Sequence, residues 1–170
     1  MVSIDEILLK VEQDSVFYKH GNGGMTISGG EPLLQENTVL LLQRAKERRI
    51  NTAIETCGYV LQERLLLAAR YLDTIYMDIK SVNDKKHKEF TGVSAELIRD
   101  NFRALCIDFP EKPITARTPV IPGFNDSEEE LRGIEEFVGQ FPGVKWQRLP
   151  YHRFGVGKYE KLGRQYLLED

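Results

Sequence analysis

Met25-Thr-Ile-Ser-Gly-Gly-Glu-Pro-Leu-Leu34 is the stretch on which the reading of the fold turns. It predicts a short buried strand over Met25–Ser28 that breaks at two glycines and an acid. Without a Cβ, glycines let the backbone bend sharply and approach a ligand closely. Pro32 ends the turn and can open the next helix. A strand that finishes in small residues plus a carboxylate is how a parallel α/β fold builds a small-molecule site at its carboxyl edge.

Working outward, helix and strand patterns alternate. Ser3-Ile-Asp-Glu6 is a capping box, with Ile4, Ile7, Leu8 and Val11 at helical spacing behind it. This helix runs until the Gly21-Asn-Gly-Gly24 loop. Asn37 can cap a second helix to about Arg48, with Leu41, Leu42 and Ala45 facing inward. A strand over Asn51–Cys57 breaks at Gly58. A helix over Gln62–Tyr71 leads to a strand over Thr74–Ile79. Helices over Lys85–Glu89 and Ala95–Leu105 are separated by Gly92. A strand over Ile114–Ile121 ends at Pro122-Gly123. Ser127-Glu-Glu-Glu130 is a second capping box, opening a helix to about Val138, and Val144–Leu149 is the last strand. From His152 to Asp170 no period is visible, and the stretch reads as loop or surface extension.

Repeated βα units predict a parallel sheet. A closed eight-stranded barrel needs about 250 residues. A chain of 170 residues fits either an incomplete barrel or an open doubly wound sheet. No Gly-, Pro- or Ser-rich linker divides it, so residues 1–170 are expected to form a single domain. The first element is a helix with no strand before it, which suggests that about one N-terminal βα unit is missing.

Composition narrows the function classes. A hydrophobic content of 41% and a charged content of 29% are ordinary for a globular protein. The net charge of −3 lacks the basic excess of a nucleic-acid footprint. Lys85, Lys86 and Lys88 read as a solvated helix face. Apolar runs such as Leu65–Ala69 are too short to span a bilayer, and the first residues, amphipathic and acidic, do not read as a secretory signal. The two cysteines, Cys57 and Cys106, exclude a disulfide scaffold and point to a reducing compartment, so a cytoplasmic location is expected. Their separation matches no metal-ligand spacing, and both read as small core residues. Neither G-x-G-x-x-G near a strand nor G-x-x-x-x-G-K-[ST] occurs.

The candidate chemistry sits at the strand ends: Ser28-Gly-Gly-Glu31, Glu55-Thr-Cys-Gly58, Asp78-Ile-Lys80, Arg117 midway along the fourth strand, and Pro150-Tyr-His152. In a parallel barrel these ends converge on one face. Asp78 and Lys80, two apart on a strand, share a side. The bland reading is an ion pair; the sharper one is a clamp for a carboxylate beside an acceptor for an amine or hydroxyl. Glu31 and Glu55 add negative charge suited to an ammonium or sulfonium group. Arg117 on a buried strand is either the partner of a strand-end acid or a ligand contact. His152 reads as a structural histidine, a ribose contact or an acid–base group. Tyr18, Tyr59 and Tyr151 read as core or rim aromatics.

At these residues the chain resembles the radical S-adenosylmethionine enzymes, and more narrowly the activating enzymes of glycyl-radical enzymes of the pyruvate formate-lyase type. The matching segments are Gly24–Gln35, Ile54–Tyr59, Tyr76–Lys80, His87–Val93, Arg117–Asp126 and Leu149–Tyr159, in family order. The resemblance implies a partial (β/α) barrel that binds S-adenosylmethionine through Ser28, Gly29, Gly30, Glu31, Glu55, Thr56, Asp78, Lys80, Arg117 and His152. The backbone of Gly29–Glu31 would receive the methionyl ammonium, and Lys80 the carboxylate. Thr56 and Asp78 match a monovalent-cation site. Family chemistry is reductive cleavage of the cofactor to a 5′-deoxyadenosyl radical, which takes a hydrogen atom from a glycine of the partner enzyme. The implied partners are a glycyl-radical enzyme of the pyruvate formate-lyase type and an electron donor such as flavodoxin or ferredoxin.

The family's [4Fe–4S] cluster is held by a C-x-x-x-C-x-x-C loop, and two distant cysteines cannot replace it. The chain is therefore expected to be a fragment of the intact enzyme, with no catalytic residue of its own and no radical activity alone. The alternatives are a cluster-free module that binds S-adenosylmethionine or a partner, and a radical enzyme acting on another substrate, such as a ribonucleotide-reductase activase. A fragment of this kind would expose an apolar strip along the edge where the missing strand belongs.

Overall fold

Five strands lie side by side in sequence order, and all run parallel: β1 (Gly24–Ile27), β2 (Asn51–Thr56), β3 (Thr74–Asp78), β4 (Ile114–Val120) and β5 (Lys145–Pro150). Parallel neighbours need crossover connections, and these are right-handed almost without exception. A doubly wound sheet would reverse the strand order at a switch point. This order never reverses, so successive crossovers stack their helices on one side. That decides between the two architectures expected from the sequence: the sheet is an open section of barrel wall. The computed structural model describes residues 2–21 and 23–152 and positions 157, 161 and 163. Most of the His152–Asp170 stretch lies outside the described residues.

Helices with described spans are α1 (Ile4–Gln13), α2 (Ser15–Gly21), α3 (Thr38–Glu47), α4 (Gln62–Ala69), α5 (Asp84–Thr91), α6 (Glu96–Asp108) and α7 (Glu128–Val138). Among the described residues no helix is long and apolar enough to cross a membrane. The α1 capping box forms as its sequence dictates: Glu6 N donates to Ser3 Oγ at 3.2 Å and Ser3 N to Glu6 Oε2 at 2.7 Å. The first helix does not continue to Gly21. It stops at Asp14 and restarts at Ser15, two residue types whose short polar side chains compete for local backbone bonds. Pro32 opens a 3₁₀ turn, Pro32–Leu34, rather than a helix. Asn37 precedes α3 without capping it, while Thr38 Oγ1 donates to Pro32 O at 2.5 Å. The second capping box is only half made. Glu130 N donates to Ser127 Oγ at 3.3 Å, but the Glu130 carboxylate turns away to Ser81 Oγ at 2.8 Å and Lys86 Nζ at 3.3 Å.

Alternation along the strands separates the two faces of the sheet. Ile54, Ile75, Met77 and Ala116 point to the helix side and pack with Leu42, Leu65, Phe102, Leu105, Ile134 and Phe137 in the main core. A smaller cluster, Leu8, Met25, Ala45 and Ile50, holds α1 against β1 and α3. The opposite face carries Glu55, Tyr76, Asp78 and Arg117, all partly exposed. It is this face that presents the chemistry.

Candidate functional site

The centre of the site is an ion network on the open face of β2, β3 and β4. Register sets Glu55 beside Tyr76 and Asp78 beside Arg117, so a residue midway along β4 stands level with the tip of β3. Arg117 Nη1 donates to Glu55 Oε1 at 2.7 Å, and its Nε and Nη2 donate to Asp78 Oδ1 at 3.2 and 3.1 Å. Its guanidinium lies 5.5 Å from the centre of the Tyr76 ring, a cation–π contact. Ser28 Oγ, at the tip of β1, donates to Glu55 Oε2 at 2.9 Å, and Lys80 Nζ donates to Asp78 Oδ2 at 3.3 Å. Four of the strand-end groups read from the sequence thus share one network with Ser28, two cations against two carboxylates.

The electrostatics follow from this pairing. The hydrogen bond from Arg117 holds the Glu55 carboxyl below its usual range against the cost of burial, with Ser28 adding to it. Burial weakens the charged form of Arg117, but Glu55 and Asp78 outweigh it, and its proton is held more tightly than usual. Glu55 is therefore no free negative charge. It is a fixed acceptor that orients Arg117.

Glu31 stands apart from this network. Its carboxylate accepts from Leu33 N at 3.1 Å, from Cys57 N at 2.8 Å, and from Thr56 Oγ1 at 2.8 Å to each oxygen. It clasps the β1 loop to the end of β2. The loop it holds is open above: beyond the adjoining residues, nothing lies within 4 Å of where a Cβ would stand on Gly29 or Gly30, and Gly29 has φ +141°, in the region that favours glycine. Thr56 pairs with the fully buried Met77 and faces the helix side, its hydroxyl also accepting from Gly58 N at 2.9 Å. Asp78 faces the open side, so the structure does not bring the Thr56 and Asp78 side chains together. His152 follows β5 at the same carboxyl edge of the sheet and is exposed.

Two buried groups supporting the site were missed from the sequence. Asn125, fully buried, bonds backbone groups of Lys80, Pro119 and Ile121. Glu130 reaches Ser81, the residue after Lys80. The segment Arg117–Asp126 marked the neighbourhood of Asn125, but nothing local announces a partner 45 residues away.

The residues present fit the two implied cofactors unequally. The open glycine loop, the paired Lys80 and Asp78, and Arg117 offer donors and acceptors to an amino acid's carboxylate and ammonium. They suit S-adenosylmethionine. The iron–sulfur cluster has no such fit. The chain holds two cysteines, and no group of three His, Cys, Asp or Glu able to hold a metal occurs among the described residues. Burial pushes the Cys57 thiol up, as does Glu31 beside it, and burial alone pushes Cys106 up to about 12. Both thiols are partly buried, and neither lies in a cluster of ligating groups among the described residues.

Comparison with known proteins agrees with this geometry. The family model described as the Radical SAM superfamily matches residues 1–133. The isethionate sulfite-lyase activating enzyme of Nitratidesulfovibrio vulgaris is 49% identical over 96% of this chain and 53% of its own. The (2S)-3-sulfopropanediol sulfolyase activating enzyme of Bilophila wadsworthia is 48% identical over 98% of this chain and 56% of its own. The chain thus spans about half the length of the curated relatives it matches. The crystal structure of a domain of pyruvate-formate lyase-activating enzyme from Bacteroides vulgatus superposes with a TM-score of 0.68 at 29% identity, covering 83% of this chain and 93% of that one. The relatives of higher identity are named for lyases other than pyruvate formate-lyase, the partner type expected from the sequence. What they share is the activating-enzyme class, and with an open parallel barrel wall and a matching family model over most of its length, the chain belongs to the radical SAM superfamily.

Proposed function

We propose that this chain forms the S-adenosylmethionine-binding part of a glycyl-radical enzyme activating enzyme. The observation that carries the reading is the meeting of the open Gly29–Gly30 loop with the Ser28–Glu55–Arg117–Asp78–Lys80 network at one edge of a radical SAM barrel wall. In this reading the loop backbone receives the methionyl ammonium, Lys80 pairs with the carboxylate, and Arg117 and His152 line the remainder of the cofactor. Bound beside a reduced cluster, the cofactor supplies the radical that takes hydrogen from the partner's glycine. With only two cysteines, 49 positions apart, the 170 residues hold the cofactor without radical chemistry, and the cluster ligands belong to other residues of the working enzyme. A flavodoxin or ferredoxin in the cytoplasm is the electron source.

The partner in this reading is a lyase that releases sulfite from a small sulfonate, since the relatives at 48–49% identity are named for that class. The first test is binding. S-adenosylmethionine titrated into the chain should saturate, and Lys80→Met or Arg117→Met should each weaken it about tenfold, the value of one charge-assisted contact. Binding unchanged by both substitutions would refute the site. The second test is a radical. An intact activating enzyme carrying these residues should give a glycyl-radical resonance on a sulfite-releasing lyase and none on pyruvate formate-lyase; the reverse outcome would refute the partner class.

A further inference from the structure

We propose that Asn125 is a positioning residue for this site: its carboxamide stands in for a strand neighbour at the tip of β3 and so fixes where Lys80 sits. The inference rests on the cofactor reading above. The β3–β4 register ends at Asp78 and Arg117, and the last backbone bond runs from Ile79 N to Arg117 O at 2.9 Å. Past that rung, side chains take over the carbonyls of the β3 tip. Thr118 Oγ1 donates to Ile79 O at 2.8 Å, and Asn125 Nδ2 to Lys80 O at 2.7 Å. The same Nδ2 donates to Pro119 O at 2.9 Å, and Oδ1 accepts from Ile121 N at 2.7 Å.

One carboxamide with no exposed surface therefore joins the backbone of both strand tips. A fully buried carboxamide that loses a partner costs more than the bond itself is worth, so the tip has strong reason to stay where Asn125 holds it. A second contact pins the loop that carries Asn125. Phe124 stacks on Phe90 of α5 with ring centres 4.2 Å apart, against the helix that follows Lys80. The clamp acts on the residue whose ammonium meets Asp78, and Asp78 is also held by Arg117. Asn125 touches no ligand-facing surface; it sets the geometry of a group that does.

The test must separate positioning from mere folding. Asn125→Ser keeps a donor and an acceptor in a smaller volume. Asn125→Asp, the second variant should the first not fold, keeps the acceptor and the size but loses both donors. Limited acetylation of the folded full chain, read lysine by lysine by mass spectrometry, should change the rate at Lys80 by about threefold or more, the scale of coupling between contacting groups. The exposed Lys10 and Lys145 should be unaffected. In a double-mutant cycle with S-adenosylmethionine, Asn125→Ser and Lys80→Met should each weaken binding, and the double variant should bind no worse than Lys80→Met alone. Unchanged Lys80 labelling in a folded variant, or fully additive losses, would overturn the role of Asn125. A wild-type chain that binds no S-adenosylmethionine, with Lys80 labelling still responding, would instead overturn the cofactor reading.

Discussion

Both carboxylate oxygens of Glu31 lie 2.8 Å from the hydroxyl of Thr56, so the acid of the glycine loop is anchored to the end of the neighbouring strand rather than offered to a ligand. Leu33 N and Cys57 N complete its coordination. The loop's reach toward a ligand is then a matter of backbone, and the side chain supplies its rigidity.

Glu31→Gln tests this clasp. The amide replaces one acceptor oxygen with a donor that faces the backbone N–H of Leu33 or Cys57, in a part-buried site. A loss of about 1–3 kcal/mol of stability is expected, the cost of an unsatisfied buried partner. Urea denaturation measures it. A change within about 0.5 kcal/mol, the range of an ordinary surface substitution, would mean that the clasp is dispensable.

The pH dependence of stability should follow the acids that the fold holds charged. Glu55 titrates below its ordinary 4.5 because Arg117 binds it. Asp73 suffers from burial, but the hydrogen bonds from Lys46 Nζ and Thr52 N outweigh that cost and lower it below 3.8. A lowered folded-state pKa contributes stability that is complete above the ordinary value and lost as pH falls through the lowered one. Urea midpoints should therefore be flat near neutrality and fall in the acid range below those ordinary values. Glu55→Gln and Asp73→Asn should each make the acid limb shallower. An acid limb as steep in both variants as in the wild type would show that other groups carry it.

What was legible in the sequence was local. Ser3 and Glu6 lie three apart and announce the first cap. The stretches Asn51–Cys57, broken at Gly58, and Ile114–Ile121, ended by Pro122-Gly123, announce strands to within a residue, and parallel strands put the site at their shared edge. What was not legible is what the chain does at a distance. Glu130 leaves its own cap for Ser81, 49 residues away, and Arg117 reaches Glu55 across 62 residues. The Glu31 side chain was read as charge for a ligand because its partners, Thr56 and Cys57, are fixed only by the β1–β2 register. Strand order was undecided for the same reason: it depends on which crossover packs where, and each βα unit looks alike on its own.

Gly58→Ala should be among the costliest single substitutions at the strand ends. Gly58 has φ +71°, and a Cβ there would stand 2.0 Å from Cε of Met77, which is fully buried. The left-handed backbone costs an alanine about 1–2 kcal/mol, and overpacking adds about 1–3 kcal/mol. Met77→Ala should recover part of the second cost and none of the first. Thermal melts of the two single variants and the double variant separate the two; a neutral Gly58→Ala would place the strain elsewhere.

The two helices that precede β1 carry exposed apolar side chains that a solitary surface has little use for. Leu9 of α1 is 58% exposed, and Val16 and Phe17 of α2 are 64% and 76% exposed. Among the described residues β1 has a strand neighbour on one side only, and unpaired edges and exposed apolar surface each favour association. Sedimentation velocity on the chain should reveal a concentration-dependent shift to larger species. Phe17→Glu should reverse that shift while leaving the melting temperature within about 2 °C, since the side chain packs against little and surface changes of this kind alter stability by about 0.5 kcal/mol or less. A wild-type chain that remains a monomer at millimolar concentration would overturn the prediction. The same monomer in the variant alone would place the self-association on the α2 face.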